Sequence, residues 1–162
     1  MTQASETILD LIANADSIML VTAGTDGMLG ARPMRLAKPP EAEEFWFVTA
    51  RDSSQAKDID EDLRAAVTTQ QGRKHASVSG IAKVVEDRAS LEALWSPSLL
   101  PWFPDGTDDP EMVAIKFIPM KAEVWDGSGL RGFTVLFESV KAVLKGQAVD
   151  LGNTGVHQAV SF

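Results

Sequence analysis

The chain has no cysteine, which excludes disulfides and thiolate metal sites and fits a reducing compartment. It also lacks any apolar run near the roughly 20 residues that a membrane-spanning helix needs. Its first residues, MTQASETILDLIANADS, have no basic start leading into an apolar core, so no secretory signal is expected and the cytoplasm is the default compartment. Positive charge is scarce: 15 Lys and Arg stand against 23 Asp and Glu, a formal net charge of −8. Such a balance repels phosphodiester backbones, whose binding is mostly electrostatic, and argues against a nucleic-acid partner. A small phosphorylated ligand stays open, because one local cluster of donors can hold it whatever the global charge.

Signatures of the common enzyme classes are missing as well. No Gly-rich dinucleotide fingerprint, phosphate loop, zincin helix or nucleophile elbow occurs. The two histidines, His75 and His157, are far apart and neither has a helical His or Glu partner, so no metal site is expected. The acidic stretch 105–111 shares only its composition with a calcium loop, lacking the alternating ligand order and the closing Glu; it reads as a solvated turn.

What is present suits one domain spanning residues 1–162, undivided by any Pro/Gly/Ser-rich linker. Ile8, Leu9, Leu11, Ile12 and Ala15 follow a helical period behind Ser5, a candidate cap. Residues 17–23 form a strand running into Gly24-Thr25-Asp26-Gly27, a hairpin signal, with the partner strand at 28–37. Pro33 cannot donate to a ladder, which places that partner at an edge, a bulge or a ligand. Further strands are expected at 44–50, 65–71 and 75–86, with a short helix capped by Ser53 or Ser54 and another capped by Asp87. Residues 112–118 and 122–125 read as two strands broken at Pro119, followed by a helix over 133–144 and an irregular tail at 147–162. Many short strands joined by turns, with helices at ends and corners, predict a mainly β (α+β) fold: a closed or split antiparallel barrel with flanking short helices.

Three segments carry candidate chemistry. In Ala31-Arg32-Pro33-Met34-Arg35-Leu36, strand alternation puts Arg32 and Met34 on one face and Arg35 on the other. The run from Phe47 through Val48 and Thr49 to Ser53, Ser54 and Lys57 leads a strand into hydroxyls, a helix N-terminus and an ammonium, a combination that suits phosphate. A plain capped helix explains it equally well. Pro119-Met120-Lys121-Ala122-Glu123-Val124-Trp125-Asp126-Gly127 sets Trp125 at a strand end, where it either covers a planar ligand or fills the core.

In this order the segments resemble the pyridoxamine 5'-phosphate oxidase-like superfamily of FMN-binding split barrels, and within it the bacterial general stress protein branch, over residues 6–147. Trp102-Phe103-Pro104-Asp105-Gly106 leading to Asp109-Pro110 is a further likeness. The resemblance implies a homodimer holding FMN at its interface, with Arg32, Pro33 and Met34 bordering the isoalloxazine and ribityl chain, and Val48 and Thr49 reaching the ring and its linker. Ser53, Ser54 and Lys57 would take the phosphate, while Trp125 and His75 would come from the partner subunit. The oxidase proper departs from this chain: its Arg-Leu-His-x-Arg substrate clamp is absent where Leu130-Arg131-Gly132-Phe133-Thr134 stands, and Ser54 and Gln55 replace its Arg-Lys pair. The resemblance therefore implies a flavin-dependent oxidoreductase of unknown substrate, linked to stress and using a nicotinamide donor, and disfavours pyridoxamine-phosphate oxidation. A flavin-buffering protein without turnover is the alternative, and a deazaflavin or no cofactor a third reading.

Overall fold

A computed structural model of the chain describes residues 3–41, 43–127 and 157–161. The element order is α1 (Gln3–Ala13), β1 (Ile18–Ala23), β2 (Leu29–Met34), β3 (Phe45–Ala50), α2 (Ser54–Glu61), β4 (Arg64–Gln71), β5 (Lys74–Val85), α3 (Arg88–Leu94), two 3-10 turns, β6 (Met112–Asp126) and β7 (His157–Ser161). All the described strands join one antiparallel sheet in the order β2-β1-β4-β5-β6-β3, with β7 also on β6. β3 pairs with the first half of β6 and β7 with the second, so the two lie end to end along one edge of that long strand. The sheet curls until its ends approach: just past β2, the Ala37 N–H donates to the Trp46 carbonyl of β3 at 2.8 Å. The described residues form the expected split barrel with three short helices.

Local chemistry explains most of these elements. The β1–β2 hairpin closes through the Gly24 N–H to the Met28 carbonyl (2.7 Å), and Gly27 sits at φ +80°, a backbone region that glycine enters without penalty. The Asp26 carboxylate accepts from the Met28 N–H at 2.9 Å and stiffens the turn. β2 lies at the sheet edge, where the N–H that Pro33 lacks is not needed. Ser53 and Asp87 cap α2 and α3 through their side-chain oxygens.

Three sequence expectations are corrected. The helix α1 begins at Gln3, so Ser5 lies inside it rather than capping it. β6 is one continuous strand through Pro119, not two strands joined by a turn. Pro119 falls opposite Gly80, where the β5–β6 register shifts; the missing proline N–H is absorbed in this bulge, and Gly80 admits the close approach because a Cβ there would run into the Ile118 carbonyl. Within the tail, His157–Ser161 is not irregular but extends the sheet as β7. The helix expected over 133–144 lies outside the described residues, as does 147–156.

The barrel interior is filled by alternating residues of the strands, including Leu20, Phe45, Phe47, Val67, Val78, Ile115 and Phe117, and is closed by Ile8 and Ile12 of α1 and Ile59 of α2. Phe45 and Phe117 stack with ring centroids 5.6 Å apart. Each such ring removed from water stabilises the fold by about 1.5–3 kcal/mol. On the opposite face of β3 and β6, Trp46, Met112 and Ala114 pack beneath Leu91 and Leu94 of α3 and Phe103 of the following loop, a second, smaller core. Among the described residues no helix is long and apolar enough to cross a membrane.

Candidate functional site

The start of α2 is a dense polar corner wedged between the edge strand β2 and the end of β3. Ser53 caps the helix, its Oγ accepting from the Ala56 N–H (3.3 Å) and from the Thr49 hydroxyl (3.2 Å). The Gln55 amide donates to Thr49 Oγ1 at 2.7 Å and reaches the Met34 sulfur at 3.9 Å. Arg32 donates from Nε to Ser54 Oγ (3.0 Å), from Nη2 to Asp58 Oδ2 (2.9 Å) and from Nη1 to Thr22 Oγ1. The Thr22 hydroxyl in turn donates to the same Asp58 oxygen at 2.7 Å. Thr22 and Asp58 are buried, at 1% and 8% exposure, so their hydrogen bonds are shielded from competing water.

Strand alternation accounts for this convergence. Arg32 pairs with Leu20 and Met34 with Ile18, two core residues, so both β2 side chains point to the barrel side of the sheet. A guanidinium there needs a counter-charge, and Asp58 supplies it from the turn of α2 one step beyond Ser54. The sequence by itself does not single out Asp58 or Thr22, and marks Gln55 only as a departure from the oxidase proper. The available signal was Arg32 itself, a cation on a core-facing position, but nothing local says which element answers it.

Lys57 is exposed on α2 and makes no ion pair among the described residues. Together with the first N–H groups of the helix, which have no intrahelical acceptor, it leaves the corner with donors to offer. Arg51 does not add to them: Asp60 and Glu86 hold its guanidinium at 2.8 Å each, and the Asp60 hydrogen bond raises its pKa further.

The remaining expected residues lie elsewhere. Val48 faces away from Thr49 and packs into the second core, so only Thr49 of this pair turns its side chain to the corner. Pro33 is exposed on the face of β2 opposite Arg32. His75 and Trp125 are cross-strand partners on β5 and β6. They share the outer face of the sheet with Met19, Thr68, Gln70 and Ser77, and these residues line a groove of about 400 Å³. A single chain thus carries two separate surfaces on opposite faces of its sheet, a polar corner and an aromatic groove.

The donor set of the corner fits the charged tail of a phosphorylated ligand, with Lys57, the helix N–H groups and the Ser53 hydroxyl as candidate contacts. The groove offers the Trp125 indole as a wall for a planar ring. Ser54 and Gln55 are already engaged within the chain. Among the described residues no group of three or more His, Asp or Glu could hold a metal ion.

Residues 3–150 match the model of a family described as pyridoxamine 5'-phosphate oxidase like. No curated protein matches the chain. Among solved structures, a putative general stress protein 26 from Jannaschia is 26% identical over 100% of both chains, with a TM-score of 0.67. A protein from Clostridium acetobutylicum related to general stress protein 26 has the same TM-score at 21% identity, covering 75% of this chain and 89% of its own. The general stress FMN/FAD binding protein of Xanthomonas citri is 20% identical, with a TM-score of 0.64 over 77% of this chain and 89% of its own. With nearly its whole length matched, the chain belongs to the pyridoxamine 5'-phosphate oxidase-like family.

Proposed function

We propose that the protein binds flavin mononucleotide in a homodimer, the phosphate held at the α2 corner of one subunit and the ring sheltered by Trp125 and His75 of the other. The observation that carries this reading is the separation of the two surfaces: the corner and the aromatic groove lie on opposite faces of one sheet, so a second copy is the simplest way to bring them to one ligand. The flavin binding of the Xanthomonas relative supports the choice of ligand. When bound, the flavin supplies the redox chemistry, accepting electrons from a reduced nicotinamide or similar donor and passing them on. The chain itself positions the cofactor: Lys57 and the α2 N-terminus neutralise the phosphate, Arg32, Met34 and Thr49 border the tail and ring, and the groove excludes water. A cytoplasmic role in stress fits this reading.

Purification from a flavin-replete host tests it. The expected product is yellow, bleaches on reduction, and releases FMN identifiable by mass spectrometry; colourless protein that also ignores added flavin overturns the proposal. A second reading, a flavin store without turnover, is favoured by one observation: Asp58, the carboxylate of the corner, is tied to Arg32 and Thr22 and not poised as a base. Steady-state flavin reduction by a nicotinamide donor separates the two.

A further inference from the structure

We propose that the connection between α3 and β6, residues 95–111, is a docking surface for a basic segment of another protein, one in which lysine or arginine side chains alternate with apolar ones. Trp102 and Leu100 anchor the apolar side chains, and the carboxylates of the connection take the cations. The surface uses none of the residues of the α2 corner or the Trp125 groove and does not depend on the flavin reading.

Between Arg88 and Lys116 the chain has no lysine, arginine or histidine but five carboxylates, Glu92, Asp105, Asp108, Asp109 and Glu111. Arg88 holds Glu92 and Asp108, at 2.6 and 2.5 Å, while Asp105, Asp109 and Glu111 have no ion pair among the described residues. The same stretch turns two large apolar side chains to solvent: Trp102 is 71% exposed and Leu100 48%. One exposed apolar residue needs no explanation, but this connection is built to hold the pair in place. Phe103, next to Trp102, is buried in the second core, and the N–H groups of both residues donate to the Leu99 carbonyl at 3.0 Å. Ser96 caps the 3-10 turn at Pro97–Leu99, and Gly106, at φ +65°, lets the chain pass against the Trp95 ring. Arg88 ties down the far end through Asp108. A tryptophan displayed on so fixed a loop loses little freedom on binding, and tryptophan is among the residues that carry most binding energy at interfaces.

Charge selects the occupant. A cleft of about 410 Å³ lies between α3 and the chain at 107–113, with Leu91 and Met112 in its walls alongside Glu86, Asp108 and Asp109. Arg51 and Arg88 also line it, but Asp60, Glu86, Glu92 and Asp108 already hold them, so carboxylates outnumber cations. Acidic walls that are part apolar suit a lysine or arginine, whose long aliphatic stem lies on apolar surface while its head meets a carboxylate. A second copy of the chain fits poorly: a twofold contact through this connection sets its five carboxylates against the same five, in a protein of net charge −8.

The probe is a fluorescein-labelled peptide of alternating lysine and leucine, followed by anisotropy against the purified protein. Peptides of alternating glutamate and leucine, and of alternating lysine and serine, are the controls. The lysine–leucine peptide is expected to bind, less tightly as salt rises, and both controls to bind about tenfold more weakly or not at all. Trp102→Ser is expected to weaken it about tenfold and Leu100→Ser about threefold. Asp105→Asn, whose carboxylate makes no capping hydrogen bond, weakens it less and flattens the salt dependence. Glu6→Gln, on α1, leaves it unchanged. Circular dichroism melting, sedimentation and flavin titration are run on every variant. A wild type that does not bind the peptide overturns the inference, and so does binding that Trp102→Ser leaves intact, which reflects net charge alone. A lowered Tm in Trp102→Ser overturns it by showing Trp102 packed within its own chain. Altered sedimentation places Trp102 between copies, and lost flavin binding places it in the flavin site; either result overturns it as well.

Discussion

Lys57 and Arg32 are both cations of the α2 corner, yet their surroundings separate their roles. Lys57 is exposed and unpaired among the described residues, whereas Arg32 is enclosed by Thr22, Ser54 and Asp58. Replacing Lys57 by Ala is expected to weaken FMN by about 1.5–3 kcal/mol, the worth of a charge-assisted hydrogen bond, and to leave riboflavin binding unaltered; calorimetric titration of both ligands checks it. A different residue contributes to the acid dependence of stability. The Glu44 carboxylate is held down to about 2 by Lys116 foremost and then by the Trp46 indole N–H, with Lys38 also bonded to it. A carboxyl more acidic in the folded chain stabilises fully above its ordinary value of 4.5, and that contribution is lost as pH falls through about 2. Screened by solvent at this partly exposed cluster, the effect is on the order of 1 kcal/mol. Urea unfolding at pH 7 and pH 3 should show the loss in the wild type and a flatter pH dependence in Glu44→Gln.

At the scale of elements, the β5–β6 bulge is the most exacting feature. β6 continues through Pro119 only because Gly80, on a strand far earlier in the chain, offers no Cβ to the Ile118 carbonyl. Gly80→Ala should cost about 1–3 kcal/mol in denaturant unfolding, the usual penalty for forcing atoms into a filled space. Pro119→Ala should cost about 1–2 kcal/mol, since it truncates a buried ring and restores an N–H at a register break that offers it no ladder partner. Reading the proline alone suggests a turn between two strands, because a proline interrupts a ladder and its partner on β5 is not visible locally. The hairpin at Gly24 to Gly27, a cap at Ser53 or Ser54, the cap at Asp87 and the restriction of Pro33 to an edge, a bulge or a ligand were legible, since each depends on the conformational preference of the residue itself; the sheet then chose Ser53 and the edge.

The whole molecule sets the last prediction. The outer sheet face holding Met19, Thr68, His75 and Trp125 is the surface that a partner copy would cover in the proposed dimer. Thr68→Arg, a long cation set in the middle of that face, should convert a dimer of twice 17.5 kDa into a monomer and abolish flavin binding together; sedimentation and flavin titration on the same sample read both. A monomer that keeps its flavin contradicts the shared site.

Amino-acid order alone determined what is local: the alternation that makes strands, the turn residues that end them, the hydroxyl cap of α2 and the carboxylate cap of α3, and hence a small antiparallel barrel. It also placed Arg32 and Met34 on one face, because side-chain period in a strand is a property of the backbone. Tertiary packing decided the rest. Which carboxylate answers Arg32, which glycine lets Pro119 stay in its strand, and that the corner and the Trp125 groove occupy opposite faces all depend on pairings between segments remote along the chain. Such pairings are selected by the energy of the assembled core and not by the preference of any single residue, so no local pattern announces them.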